Sequence, residues 1–255
     1  FIDIETVSSH SSLAEMEAQH PNLHHHWPAK ANLIRKGKPE LMDLDDAKTY
    51  EQEAALYAEF AKTVCISIGQ VTFDDYDNAS FKVKSFYGDD EQTIIEDFFK
   101  AITALLRRAP NLKIVGHNIK GFDLPFLLRK AVVYGVNIPR ELHLHSIKPW
   151  ESCLLDTSEI WKFGSWTGAP LGLLCTVLGI PTPKDAMDGS QVSEAYWKES
   201  RLEDIKTYCE KDVKATANVI LKVSQLLMPY RGASSCAVDK YDPLATLRMQ
   251  KLLKV

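Results

Sequence analysis

A chain of 255 residues with 45% hydrophobic content is long enough to bury one sizeable core, and it reads as a single α/β domain over 1–255. No apolar run reaches the length that crosses a bilayer, which excludes a membrane-spanning helix. The formal net charge of −4 gives no bulk attraction to polyanions, and five scattered cysteines (Cys65, Cys153, Cys175, Cys209, Cys236) lack the paired spacing of disulfides or a zinc site, which suits a reducing cytoplasm.

The first strand is expected over roughly residues 1–6, in Phe1-Ile2-Asp3-Ile4-Glu5-Thr6. Residues two apart on a strand share a face, so Asp3 and Glu5 stand side by side while Ile2 and Ile4 face the other way. Two carboxylates at that spacing repel, and taking them out of water costs several kcal/mol each unless something compensates. No Lys or Arg follows within two dozen residues, so a divalent cation held by oxygen ligands is the economical compensation. Phe1 is not an initiating residue, and further residues are expected before it.

Residues 8–60 form a polar insertion with helical pattern near 49–61, too long for an unstructured loop and expected to lie over the groove beside the carboxylates. Inside it, His24-His25-His26-Trp27 reads as a solvated cluster. Strands near 63–73 and 80–88 alternate apolar and polar positions around Asp74-Asp75-Tyr76-Asp77-Asn78 and so form a hairpin. Gly88-Asp89-Asp90-Glu91 starts a helix near 91–108, with acids at the positive end of its dipole. A short buried strand near 112–117 leads into Asn118-Ile119-Lys120-Gly121-Phe122-Asp123. Gly121 permits a turn there, and Asp123 is placed to cap a helix near 123–134. A strand near 153–156 follows, then helices near 171–178, 191–199 and 201–228. On the last helix Leu202, Ile205, Cys209, Thr216, Val219 and Val223 make a core-facing stripe. Asp212 falls on that stripe where an apolar residue is due, one turn after Tyr208, and a buried Asp needs a partner or a metal. The tail, 232–255, carries no readable role.

Asp3-x-Glu5 on a first strand, Asn118-x-x-x-Phe122-Asp123 entering a helix, and Tyr208-x-x-x-Asp212 on a late helix form an ordered set. The set resembles the three motifs of the DEDD 3′–5′ exonuclease superfamily in its tyrosine-bearing branch (DEDDy), which includes the proofreading domains of family-A and family-B DNA polymerases and ribonuclease D. The likeness runs from residue 3 to about residue 225. Leu155-Asp156-Thr157, and Leu171-Gly172-Leu173-Leu174 leading to Leu178-Gly179-Ile180-Pro181, look most like stand-alone relatives of the family-B polymerase exonuclease domain.

The resemblance implies a ribonuclease H-like fold, a mixed five-stranded sheet with helices on both faces, here with a long insertion after strand 1. It also implies a two-metal-ion 3′–5′ exonuclease releasing nucleoside 5′-monophosphates from single-stranded DNA. Asp3, Glu5, Asp123 and Asp212 would hold two Mg²⁺ or Mn²⁺, with Asp3 bridging them. Tyr208, a poor base at its usual pKa of about 10, would orient the attacking water. Ile4 and Thr6 would meet the terminal nucleotide, and Asn118 and Phe122 would line the path of the 3′ end. Trp150, Trp161, Phe163 and Trp166, interleaved with Lys148 and Lys162, suit stacking of unpaired bases, although such aromatics more often fill cores. Lys120, Arg129, Lys130, Lys211 and Lys214 add basic density near the carboxylates. An exoribonuclease, and a non-cleaving single-strand-binding module on the same fold, are the alternatives. No polymerase domain follows in this chain, so proofreading would act in trans, beside a polymerase or repair partner.

Overall fold

The computed structural model describes residues 1–73, 79–109, 111–146, 152–182, 187 and 189–226. Strand β1 (Ile2–Ser8) leads into four helices, α1 (Leu13–Gln19), α2 (Pro21–His24), α3 (Trp27–Gly37) and α4 (Asp46–Glu53). A short 3-10 turn at Ala54–Leu56 returns the chain to β2 (Ala61–Phe73), which is followed by β3 (Ala79–Tyr87) and α5 (Glu91–Arg108). Next come β4 (Ile114–Gly116), α6 (Asp123–Val133), β5 (Leu154–Asp156), α7 (Thr157–Lys162), α8 (Leu171–Leu178), α9 (Val192–Trp197) and α10 (Leu202–Leu226). Among the described residues no helix is long and apolar enough to cross a membrane.

β1, β2 and β3 form an antiparallel sheet in that order, and the reversal at 74–78 lies outside the described residues. Ile2 and Ile4 share the main core with Ile66, Ile68 and Phe86, under a lid of α5 and α6 side chains such as Phe98 and Leu127. Asp3 and Glu5 face the other way, opposite Ser67 and Cys65. There α9 and α10 cover the sheet through Val192, Ile205 and Cys209. Helix α10 settles closely because residue 69 is glycine: a Cβ there would stand 2.5 Å from Val213 and 2.6 Å from the Phe81 ring.

The five strands do not hydrogen-bond as one mixed sheet. β4 and β5 pair in parallel as a separate two-stranded sheet. β4 lies beside β1, where the Ile4 N–H hydrogen-bonds the Asp123 carboxylate. Asp123 is also not the helix cap. Phe122 holds that position without a side-chain bond, and Asp123 is the first residue of α6.

A buried polar knot fixes α6. Lys130 pairs with Glu91 at 3.1 Å and donates to the Ala61 carbonyl. Glu91 also accepts from the Thr63 N–H at 2.6 Å and the Tyr134 hydroxyl at 2.7 Å. Lys130 is therefore a strut between α6, α5 and β2 rather than part of a basic surface, and Lys120 is paired with Glu159 at 2.6 Å. The helical pattern expected near 49–61 appears as α4 and the 3-10 turn at Ala54–Leu56, and the insertion also carries α1 to α3, all around its own cluster of Met16, Trp27, Ile34, Tyr50 and Phe60. It packs beside the far end of β1, where Thr6 donates to the Ala55 carbonyl at 2.7 Å. His25 and His26 are exposed on it.

Candidate active site

Three elements far apart in the chain bring acids close enough to act on one another: β1 with Asp3 and Glu5, the start of α6 with Asp123, and α10 with Asp212. The β1–β2 register shifts between Glu5 and Thr6, with Glu5 opposite Cys65 and Thr6 opposite Thr63, so Val64 is an extra residue in β2. Val64 and Cys65 both pack with Val7 and Cys209 on the carboxylate side of the sheet. Ligand atoms of Asp3, Glu5 and Cys209 lie within 4.8 Å of one another. Oδ2 of Asp3 is fully buried with no hydrogen-bond partner among the described residues.

The charges of this pocket act on one another. Burial first, then the charge of Asp212, pushes the Asp3 and Glu5 carboxyls well above the usual range, and Asp123 adds to both. Burial likewise raises Asp123 to about 7, against the lowering effect of hydrogen bonds from its own N–H and that of Ile4. Among the described residues no Lys or Arg forms an ion pair with Asp3, Glu5 or Asp123. Tyr208 is bonded to Asp212, and burial followed by the charges of Asp212 and Glu5 drives its ionisation far upward, so the phenol stays protonated. Asp3, Glu5 and Asp123, with no Lys or Arg paired to them among the described residues and one Asp3 oxygen orphaned, are oxygen donors that could hold a hard divalent ion.

The residues assigned to substrate fall less evenly. Asn118 is exposed at the tip of the β4–α6 turn, in the left-handed region at φ 59°, and Phe122 is half-buried against Phe126. A side chain at Gly121 would meet Asn118 Oδ1 at 2.5 Å and turn the Asn118 side chain aside. The Ile4 side chain is packed into the core, and the Thr6 hydroxyl is spent on Ala55. Neither side chain is offered to the pocket. Trp150 and Lys148 lie outside the described residues. Phe163 is 69% and Trp166 100% exposed, which places both on the surface rather than in a core.

Three neighbours of the pocket carry no role in the sequence reading. Cys209 sits among the acids but is one more stripe residue in sequence. Asp156 is buried and accepts N–H bonds from Asn118 (2.9 Å), Lys120 (3.1 Å), Ser158 (2.9 Å) and Glu159 (3.4 Å), which ties the Asn118 turn to the start of α7. Its signal is an Asp closing a strand just before Thr157-Ser158-Glu159, the pattern of a helix cap. His117 donates from Nε2 to the Ala169 carbonyl, with Nδ1 3.0 Å from the Thr157 hydroxyl, and so anchors the segment that presents Trp166.

Compared with known protein families, residues 55–232, well over half of the chain, match one described as a predicted 3′–5′ exonuclease related to the exonuclease domain of PolB. β1, with Asp3 and Glu5, lies ahead of the matched span. No curated protein and no solved structure matches the chain. With Asp123, Tyr208 and Asp212 inside the matched span, the chain belongs to this family of predicted 3′–5′ exonucleases.

Proposed function

We propose that the chain is a two-metal-ion 3′–5′ exonuclease acting on single-stranded ends, DNA ahead of RNA, and releasing nucleoside 5′-monophosphates. The observation that carries this reading is the mutual electrostatic coupling of Asp3, Glu5, Asp123 and Asp212 at one buried place, with no Lys or Arg paired to the first three among the described residues. These four carboxylates would hold two Mg²⁺ or Mn²⁺, which, when bound, supply Lewis acidity at the phosphate and acidify the attacking water.

The chain's own part is positioning. Tyr208 keeps its proton and is fixed by Asp212, so it orients the attacking water as a hydrogen-bonding group. Ile4 acts through its N–H, which holds the Asp123 carboxylate at the edge of β1. Asp156 holds the turn that carries Asn118 and Phe122 beside the approach of the 3′ end. Phe163 and Trp166 offer open ring faces on which unpaired bases stack, which favours a single strand. The preference for DNA leans on the relation to a DNA polymerase domain. A polymerase or repair partner acting in trans, in a reducing cytoplasm, completes the reading.

The test is digestion of 3′- and 5′-labelled single-stranded DNA and RNA with Mg²⁺, Mn²⁺, Ca²⁺ or EDTA, beside Asp212→Ala. Stepwise shortening from the 3′ end with Mg²⁺ or Mn²⁺ is expected, reduced by at least roughly a hundredfold in Asp212→Ala. Undiminished binding with no cleavage of either polymer would replace the enzyme by a binding module.

A further inference from the structure

The carboxylate pocket contains a sulfur. Cys209 is fully buried, its thiol resting on the Asp3 carbonyl at 3.4 Å, and its Sγ lies within 4.8 Å of carboxylate oxygens of both Asp3 and Glu5. Hydrolysis assisted by hard cations has no use for a thiol, because Mg²⁺ takes oxygen ligands. For packing alone, a small aliphatic side chain would serve the same place on the α10 stripe; the sulfur adds a metal-binding atom.

We infer that Cys209, Asp3 and Glu5 form a sulfur–oxygen site for a soft or borderline divalent cation such as Zn²⁺ or Cd²⁺, a second binding mode of the same pocket. The inference rests on reading the pocket as a cation site. Two observations point the same way independently: the close grouping of one sulfur and two carboxylates, and the buried Asp3 Oδ2 that lacks a hydrogen-bond partner among the described residues. A spread of this size closes onto one tetrahedral ion by side-chain adjustment, with metal–sulfur bonds of about 2.3 Å and metal–oxygen bonds of about 2.0–2.2 Å. On binding, the S–H bond breaks, a sulfur–metal bond forms and that proton leaves to solvent, together with any proton that the Asp3 and Glu5 carboxyls hold in the empty site. No change of oxidation state is involved. The thiolate adds affinity for soft ions alone, so Zn²⁺ competes with the ions that serve hydrolysis and draws Asp3 and Glu5 towards the sulfur.

Titration with Cd²⁺ or Co²⁺, read by thiolate-to-metal charge-transfer absorption, tests this without reference to cleavage. A band from one thiolate is expected in the wild type and in Cys65→Ser, whose thiol faces Glu5 across the strands. The band disappears in Cys209→Ser, with Cd²⁺ affinity lower by at least about tenfold and Mn²⁺ affinity, followed by electron paramagnetic resonance, changed by less than about twofold. Cys209→Ala repeats the comparison if serine disturbs the packing. No band in the wild type, or a band that survives in both Cys209 variants, overturns the proposal. Mn²⁺-dependent cleavage without a Cd²⁺ band removes this site and leaves the exonuclease reading intact, whereas a band without cleavage does the reverse.

Discussion

Tyr208 and Asp212 are one helical turn apart, and the phenol is held on the carboxylate while its ionisation is driven far upward. Tyr208→Phe removes a hydrogen bond to a charged group, so kcat is expected to fall by roughly ten- to a hundredfold with KM little changed. The pH–rate profile should keep its shape, and an ionisation missing from the variant's profile would mark the phenol as a base instead. The acids have a separate consequence for stability. Asp123 titrates near 3.8 in its unperturbed state and at about 7 in the fold, so the folded chain holds a proton that the unfolded chain releases. Stability of the cation-free protein therefore falls as pH rises through that window, and Asp3 and Glu5 push the same way. Thermal unfolding in EDTA should show this slope, Asp123→Asn should flatten it, and Mn²⁺ should oppose it. An identical slope in Asp123→Asn would disprove the assignment. Asp212 is readable in the sequence because a charge at an apolar position breaks a period, and Asp3 and Glu5 because two like charges share one face of a strand with no Lys or Arg nearby in sequence. Cys209 breaks none, so only packing reveals it.

Strands with strict alternation, and the helix from Leu202 to Leu226, are legible because each repeats its period over many residues. Helices α1, α2 and α7 run for seven, four and six residues and are too short for a period to emerge. The separation of β4 and β5 from the larger sheet is hidden for a different reason: which strand edges pair depends on tertiary placement, which alternation along a single strand does not encode. The segment after α7 matters for function at this scale. Phe163, at φ 45°, ends the helix, and the chain then carries Trp166 into solvent before Ala169 is tied to His117. A single-stranded oligonucleotide should quench tryptophan emission, and Trp166→Ala should weaken its binding by about 1–3 kcal/mol, the worth of one stacked base. Unchanged binding in the variant would remove this segment from the strand's path.

Across the whole molecule the apolar side chains divide into separate clusters, and the insertion owns one of them. Trp27 is its centre, edge-on to Tyr50 and Phe60 with ring centroids 5.0 Å from each, its Nε1 donating to the Asp46 carbonyl at 2.9 Å. Trp27→Ala should cost about 3–5 kcal/mol locally. Limited proteolysis should then cut within the insertion while β1 and β2 stay protected, and simultaneous loss of both would show a single cooperative unit. The two ends of β1 also differ in what change of length they can absorb. Beyond Ser8 the chain has taken in four helices without disturbing the strand, because additions there leave its alternation untouched. Opposite Glu5 the count is fixed for a different reason: Val64 and Cys65 share one face, so losing Val64 would straighten the bulge and take an apolar side chain out of the packing against Val7 and Cys209 beside the carboxylates. Lineages of this protein should therefore vary freely in size at the insertion and hardly at all in the few residues from Thr63 to Cys65, a constraint on deletions rather than on chemistry.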